Sequence, residues 1–134
     1  MATVGVTHRD AASADFFEGT AHGDLLIRTC QECGTPAAPP VVYCRSCGSG
    51  NVSWTTATGR GTLISWSVVH PRSGVGPDVP RVIGIIELDE GPWVLGQVIG
   101  AVDDIATGRP VTVEFERPEG GEAVPVYRLG KGSA

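Results

Sequence analysis

The chain carries four cysteines, and they stand in two pairs. Cys30-Gln31-Glu32-Cys33 is followed by Gly34, and Cys44-Arg45-Ser46-Cys47 is followed by Gly48. Two residues between partners let both thiolates of a pair face one point. The glycine after each pair frees the backbone to turn N–H groups toward sulfur. Ten residues separate the pairs, enough chain to fold two such turns onto one tetrahedral sulfur site. Thiolate donors in that geometry select zinc or iron. All four positions are filled by protein, which leaves no coordination site for a water, so the expected site is structural zinc rather than a catalytic metal. Disulfides, a redox pair and an iron site stand as the alternatives. Metal binding at such a site contributes on the order of 10 kcal/mol, so this segment should not fold without its ion.

The remaining residues offer no recognisable nucleophile with a base. His8 and His22 read as solvated, His22 at a helix end where an imidazolium suits the dipole. His70 ends a strand and opens the loop Pro71 to Pro80, but no serine, cysteine or carboxylate is identifiable as its catalytic partner. Arg60, between Gly59 and Gly61, either offers a guanidinium to a phosphate or carboxylate or sits in a solvated turn. Glu87, Asp89 and Glu90 mimic paired catalytic carboxylates, yet the turn Asp89-Glu90-Gly91-Pro92 puts them on a solvated hairpin. Trp66 and Trp93 fall on strand positions and read as core or interface. Phe16 and Phe17 are neighbours, and two adjacent rings do not readily face one core; one of them is a candidate partner contact.

Charge narrows the function classes. The formal net charge is −5; residues 1–60 hold four basic and five acidic side chains, and residues 61–134 hold six and ten. A phosphate-backbone binder needs a basic face, and the larger half has the opposite sign. Aromatics on single-strand binders alternate with Lys and Arg, whereas Trp66 lies between Ser65 and Ser67. No run approaches the roughly 18 apolar residues that span a bilayer, and Met1 to Asp10 has no signal-peptide pattern. The expectation is a soluble cytoplasmic protein with neither nucleic acid nor membrane as partner.

Glycine (19) and proline (10) exceed a fifth of the 134 residues, which favours short elements joined by turns. The chain reads as mainly β in three parts: a lead and short helix over 1–24, a zinc ribbon over 25–58, and a barrel over 59–134. Ser13 is the expected cap of a helix from Ala14 to His22, with Ala14, Phe17 and Ala21 as its inward stripe and Gly23 as its stop. Strands are expected at Leu25–Thr29 and Val52–Ala57, and Gly59-Arg60-Gly61 reads as a joint. Five more runs follow: Thr62–His70, Val82–Leu88, Trp93–Ile99, Val111–Glu116 and Val124–Leu129. Asp103 or Asp104 is placed to cap one helical turn. Five strands with a helical turn between the third and fourth match the order of the OB-fold, a small closed Greek-key barrel.

These pieces together resemble one family over about residues 14–129: the fused rubredoxin-like zinc ribbon and OB-fold family that accompanies acyl-CoA enzymes, first catalogued as a domain of unknown function. The resemblance rests on Phe16-Phe17-Glu18-Gly19, Arg28-Thr29-Cys30 through Gly34, Pro39-Pro40, the second cysteine pair, Gly59-Arg60-Gly61-Thr62, Ser65-Trp66-Ser67-Val68-Val69-His70 and Ile86 to Gly91. It implies a non-catalytic accessory subunit that docks on a thiolase-like enzyme acting on a lipid or steroid acyl-CoA, such as a retro-aldolase or thiolase. A hotdog-fold enoyl-CoA hydratase is the alternative partner, and a nucleic-acid-binding zinc-ribbon protein the more distant rival. The ribbon and helix would dock, and Phe16, Phe17, Arg60, Trp66 and His70 would contact the partner or its coenzyme A thioester. Arg81 follows Pro80 where family members often carry an aromatic.

Overall fold

The computed structural model of the protein describes residues 7–69 and 80–130. Its elements run α1 (Ala14–Ala21), β1 (Leu26–Cys30), β2 (Pro36–Ala37), β3 (Val52–Thr56), β4 (Arg60–Val69), β5 (Arg81–Leu88), β6 (Trp93–Ile99), a 3-10 turn (Val102–Asp104), β7 (Pro110–Glu116) and β8 (Val124–Leu129). His70 and the loop after it lie outside the described residues. None of the described helices is long and apolar enough to cross a membrane.

The helix forms where expected, but it turns a different face inward. Phe16 packs on the core and Thr20 is buried. The Thr20 hydroxyl donates to the carbonyl of Ala123 at 2.7 Å. Gly19 lies between them on the same face; a Cβ there would stand 2.7 Å from the Leu26 side chain. The inward stripe is therefore Phe16, Gly19 and Thr20 rather than Ala14, Phe17 and Ala21, and Ala21 is exposed. Small residues at 19 and 20 let the helix approach the sheet, which a pattern built on apolar size overlooks. Ser13 does not cap the helix with its side chain. Its hydroxyl donates to Asp10 Oδ1 at 2.8 Å, as does its N–H at 2.9 Å, and these bonds hold the Asp10 carboxyl below its ordinary range.

The ribbon is a three-stranded antiparallel sheet in the order β2-β1-β3. In β2, Pro36 and Ala37 pair with Thr29 and Arg28; two residues are too few to show any periodicity. The barrel closes in the order β4-β5-β6-β8-β7. Its pairs are antiparallel except β6 with β8, which is the expected OB-fold. β7 shows why: Val111 is buried, Val113 and Phe115 are half-buried, and Thr112 and Glu114 face water. That alternation has the period of a strand with one face on a core.

Gly59 carries the chain from ribbon to barrel at φ +82°. Arg60 is already the first residue of β4, opposite Thr112, so the first strand of the barrel begins two residues before the expected Thr62. Gly61 permits this closure, because a Cβ there would lie 2.6 Å from the Glu87 carbonyl oxygen. Ribbon and barrel share one core, in which Leu25 and Ile27 pack with Leu63, Ile86, Leu88, Val111 and Tyr127. Burial pushes the Tyr127 phenol up to about 12. Its ring lies so close to β6 that a Cβ on Gly96 would stand 2.5 Å from it.

Candidate metal centre and the cleft beside it

Each cysteine pair sits on a tight turn built by the backbone. Gly34 N–H donates to the Cys30 carbonyl at 2.9 Å, and Gly48 N–H to the Cys44 carbonyl at 2.8 Å. Both glycines adopt positive φ, +78° and +77°, which favours glycine at the end of such a turn. The ends of the ribbon strands anchor the turns, with Cys30 N–H on the Thr35 carbonyl and Gln31 N–H on that of Asn51. Cys30 and Cys44 are buried, while Cys33 and Cys47 are exposed.

All four Sγ atoms lie within 4.8 Å of one another. Cys30 and Cys47 are 3.6 Å apart, and Cys33 and Cys44 3.5 Å. A tetrahedron with zinc–sulfur bonds of about 2.3 Å has sulfur edges of about 3.8 Å, so the set fits a metal. A disulfide needs about 2.05 Å, and all four cysteines are free. Taken as thiols, they cannot all ionise at neutral pH. Hydrogen bonds from the Thr35 hydroxyl and N–H lower Cys33 to about 6. Cys47 is pushed up to about 12, because the N–H of Ser49 lowers it less than neighbouring sulfurs and burial raise it. Four thiolates at this spacing require a cation among them. The ligand set is closed, so its chemistry is that of a staple.

The other expected contact residues, His70 aside, stand in three separate places among the described residues. Phe16 and Phe17 meet edge to face, with centroids 5.4 Å apart, and Phe16 lies 6.3 Å from Trp54. Both rings line a cleft of about 780 Å³ between helix and ribbon, with Arg28, Pro39, Pro40 and Trp54. The Arg28 guanidinium lies 3.7 Å above the Trp54 ring; Arg28 and Trp54 are paired opposite each other in the sheet. Nothing in the sequence pairs these two residues, since the cross-strand register is what stacks them.

Arg60 and Trp66 stand apart on β4, about 20 Å by strand rise. Arg60 faces Asp89 at 3.7 Å with both side chains exposed, a pair of small energetic weight. The acidic hairpin is tied down more than its sequence implies. Glu87 accepts from the Trp93 indole at 2.9 Å, and Glu90 accepts from Thr58 N–H at 2.8 Å. These carboxylates are structural acceptors. Trp66 and Trp93 are 37% and 54% exposed, which makes them surface rather than core residues.

Comparison with known proteins places these features together. Residues 17–53 match the rubredoxin-like zinc ribbon domain of ChsH2, and residues 54–116 its C-terminal OB-fold domain. A probable enoyl-CoA hydratase alpha subunit of Thermomonospora curvata is 31% identical over 87% of this chain and 37% of its own length. The 3-oxo-4,17-pregnadiene-20-carboxyl-CoA hydratase alpha subunit of Mycobacterium tuberculosis is 33% identical over 77% of this chain and 33% of its own. The chain thus spans about a third of these two relatives. A DUF35 domain-containing scaffold protein of Methanothermobacter thermautotrophicus is 31% identical over 78% of this chain and 82% of that protein. Among solved structures, a chain of the Ltp2-ChsH2(DUF35) aldolase superposes with TM-score 0.80 at 30% identity, covering 90% of this chain and 96% of that one. With four cysteines positioned for metal, a ribbon and a closed five-stranded barrel, the chain belongs to the ChsH2-type DUF35 family.

Proposed function

We propose that this protein is a non-catalytic accessory subunit, which docks on a thiolase-like enzyme and helps form its site for a lipid or steroid acyl-CoA. The observation that carries the reading is the likeness, along almost the whole of both chains, to a chain of the Ltp2-ChsH2(DUF35) aldolase. The chemistry of the described residues supports it. Their metal-ligand set is closed, and the hairpin carboxylates Glu87, Asp89 and Glu90 each accept from or pair with a neighbour. Bond making would belong to the partner, and the zinc ribbon would hold the helix and cleft rigid against it.

Within this reading Phe17 and Trp66 are contact residues, both partly open to solvent, as are Phe16 and the Arg60 side chain. Trp66 stands at the end of β4 that leads toward His70, whereas Arg60 stands at the far end beside the hairpin. A second reading has a specific observation behind it. Two hydratase alpha subunits contain a segment like this chain, so an enoyl-CoA hydratase is the alternative partner.

The test is purification of the tagged, zinc-loaded chain from its native host, with the recovered protein identified by mass spectrometry. A thiolase-like or hydratase subunit in fixed stoichiometry supports the proposal and tells the two readings apart. A chain that stays monomeric and brings down neither contradicts both.

A further inference from the structure

The outer surface of the barrel is not uniform. On β7, Thr112 and Glu114 face water, and Arg128 of β8 donates to Glu114 at 2.5 Å. On β5 and β6 the outward positions are apolar at the centre, between Arg81 and Gln97 toward one end and Glu87 at the other. Ile85 pairs directly with Leu95, while Ile83 and Trp93 lie on the same face one step away in each strand. The intervening Val82, Ile86 and Leu88 point into the core. Leu95 is 72% exposed, and the Trp93 indole is held in place by its hydrogen bond to Glu87. The apolar strip continues onto the ribbon, because Trp93 and Leu95 share a hollow of about 260 Å³ with Ala38, Pro39 and Pro40.

Strands of a closed barrel have no edge to hide, and an outward face bordering water is normally polar. A tryptophan, a bare leucine and two isoleucines along one face have the composition of an interface centre. From this, and resting on the reading of the chain as an accessory subunit, we infer that the outer face of β5 and β6, around Ile85, Trp93 and Leu95, is the surface that seats the acyl-CoA enzyme subunit. Charge defines the occupant. Exposed Glu87 and Asp89, the latter facing Arg60 at 3.7 Å, border the strip at its Trp93 end, Arg81 stands at its other end, and residues 61–134 carry six basic against ten acidic side chains. The complementary surface is apolar at its centre with Arg or Lys on its rim. A second copy of this chain would bring another net-negative body instead.

The experiment titrates the purified enzyme subunit, identified as above, against wild type, Leu95→Arg and, on the polar face, Thr112→Arg. Tryptophan emission and calorimetry report binding. Leu95→Arg is expected to weaken binding at least about 100-fold with an unchanged melting curve, since Leu95 packs on little. Thr112→Arg is expected to bind like wild type, and Trp93→Phe to remove most of the emission change. Binding by Leu95→Arg at wild-type affinity overturns the inference and leaves the accessory role standing. Failure of wild type to bind overturns both. Sedimentation of wild type as a dimer that Leu95→Arg dissociates, with no competition by the enzyme, assigns the face to self-association and also overturns it.

Discussion

Ribbon and barrel stay folded by different means. The ribbon is three short strands, one of them two residues long; it lends Leu25 and Ile27 to the shared core, while its turns converge on four sulfurs. The barrel closes its hydrogen-bonded ring through five strands around Leu63, Ile86, Val98, Val111 and Tyr127. Small units that cannot bury enough apolar surface need a staple. The larger module does not. The difference implies that metal and pH act first on one half of the molecule, and core substitutions first on the other.

The largest effect should come from removing the ion. Chelation, or Cys44→Ser, is expected to unfold residues of the ribbon, because the site contributes on the order of 10 kcal/mol. Amide exchange should show protection lost in β1 and β3 but retained in β5 and β6. Uniform loss across both modules would erase the distinction. Next, Leu63→Ala in the barrel is expected to cost about 2–5 kcal/mol, as for other buried large-to-small changes, read from denaturant melts of the metal-loaded protein. Its ribbon should still take up zinc. Gly96→Ala is expected to cost about 1–3 kcal/mol, because its Cβ would stand 2.5 Å from the Tyr127 ring; Tyr127→Phe should leave that cost in place.

The smallest effect concerns mild acid. Arg128 holds the Glu114 carboxyl below its ordinary 4.5, and Arg9 does the same for Glu122. A lowered folded-state value means stability fully present above pH 4.5 and lost as pH falls through the folded value. Both pairs are exposed or partly so, so the loss should be slight. Zinc release by protonated thiolates should precede it in the ribbon. A melting temperature that falls first in the barrel would reverse the order.

How much of this was legible beforehand depends on what each feature needs. The cysteine turns are local: spacing and the following glycines suffice, and the folded sulfurs meet as that spacing requires. The barrel was legible because period-two patterns such as Val111, Val113 and Phe115 report burial strand by strand. Trp93–Ile99 and Val124–Leu129 begin and end as expected. The helix face was not legible, since Gly19 and Thr20 face inward for closeness of approach and for a hydrogen bond rather than for apolar size. Neither was the stacking of Arg28 on Trp54, which depends on how two distant strands register. The apolar strip did leave a trace: Trp93, Val94 and Leu95 in succession place apolar residues on both faces of one strand. Its meaning emerges only once Ile85 is seen opposite Leu95.

In the proposed function this chain assists catalysis without performing it. The most direct test is acyl-CoA turnover by the co-purifying enzyme subunit, measured alone, with the zinc-loaded chain, and with the chain stripped of metal. No turnover is expected from the chain alone, a rise when the zinc-loaded chain is added, and no rise with the stripped one. Turnover by the isolated chain, or a partner indifferent to its presence, would contradict that function.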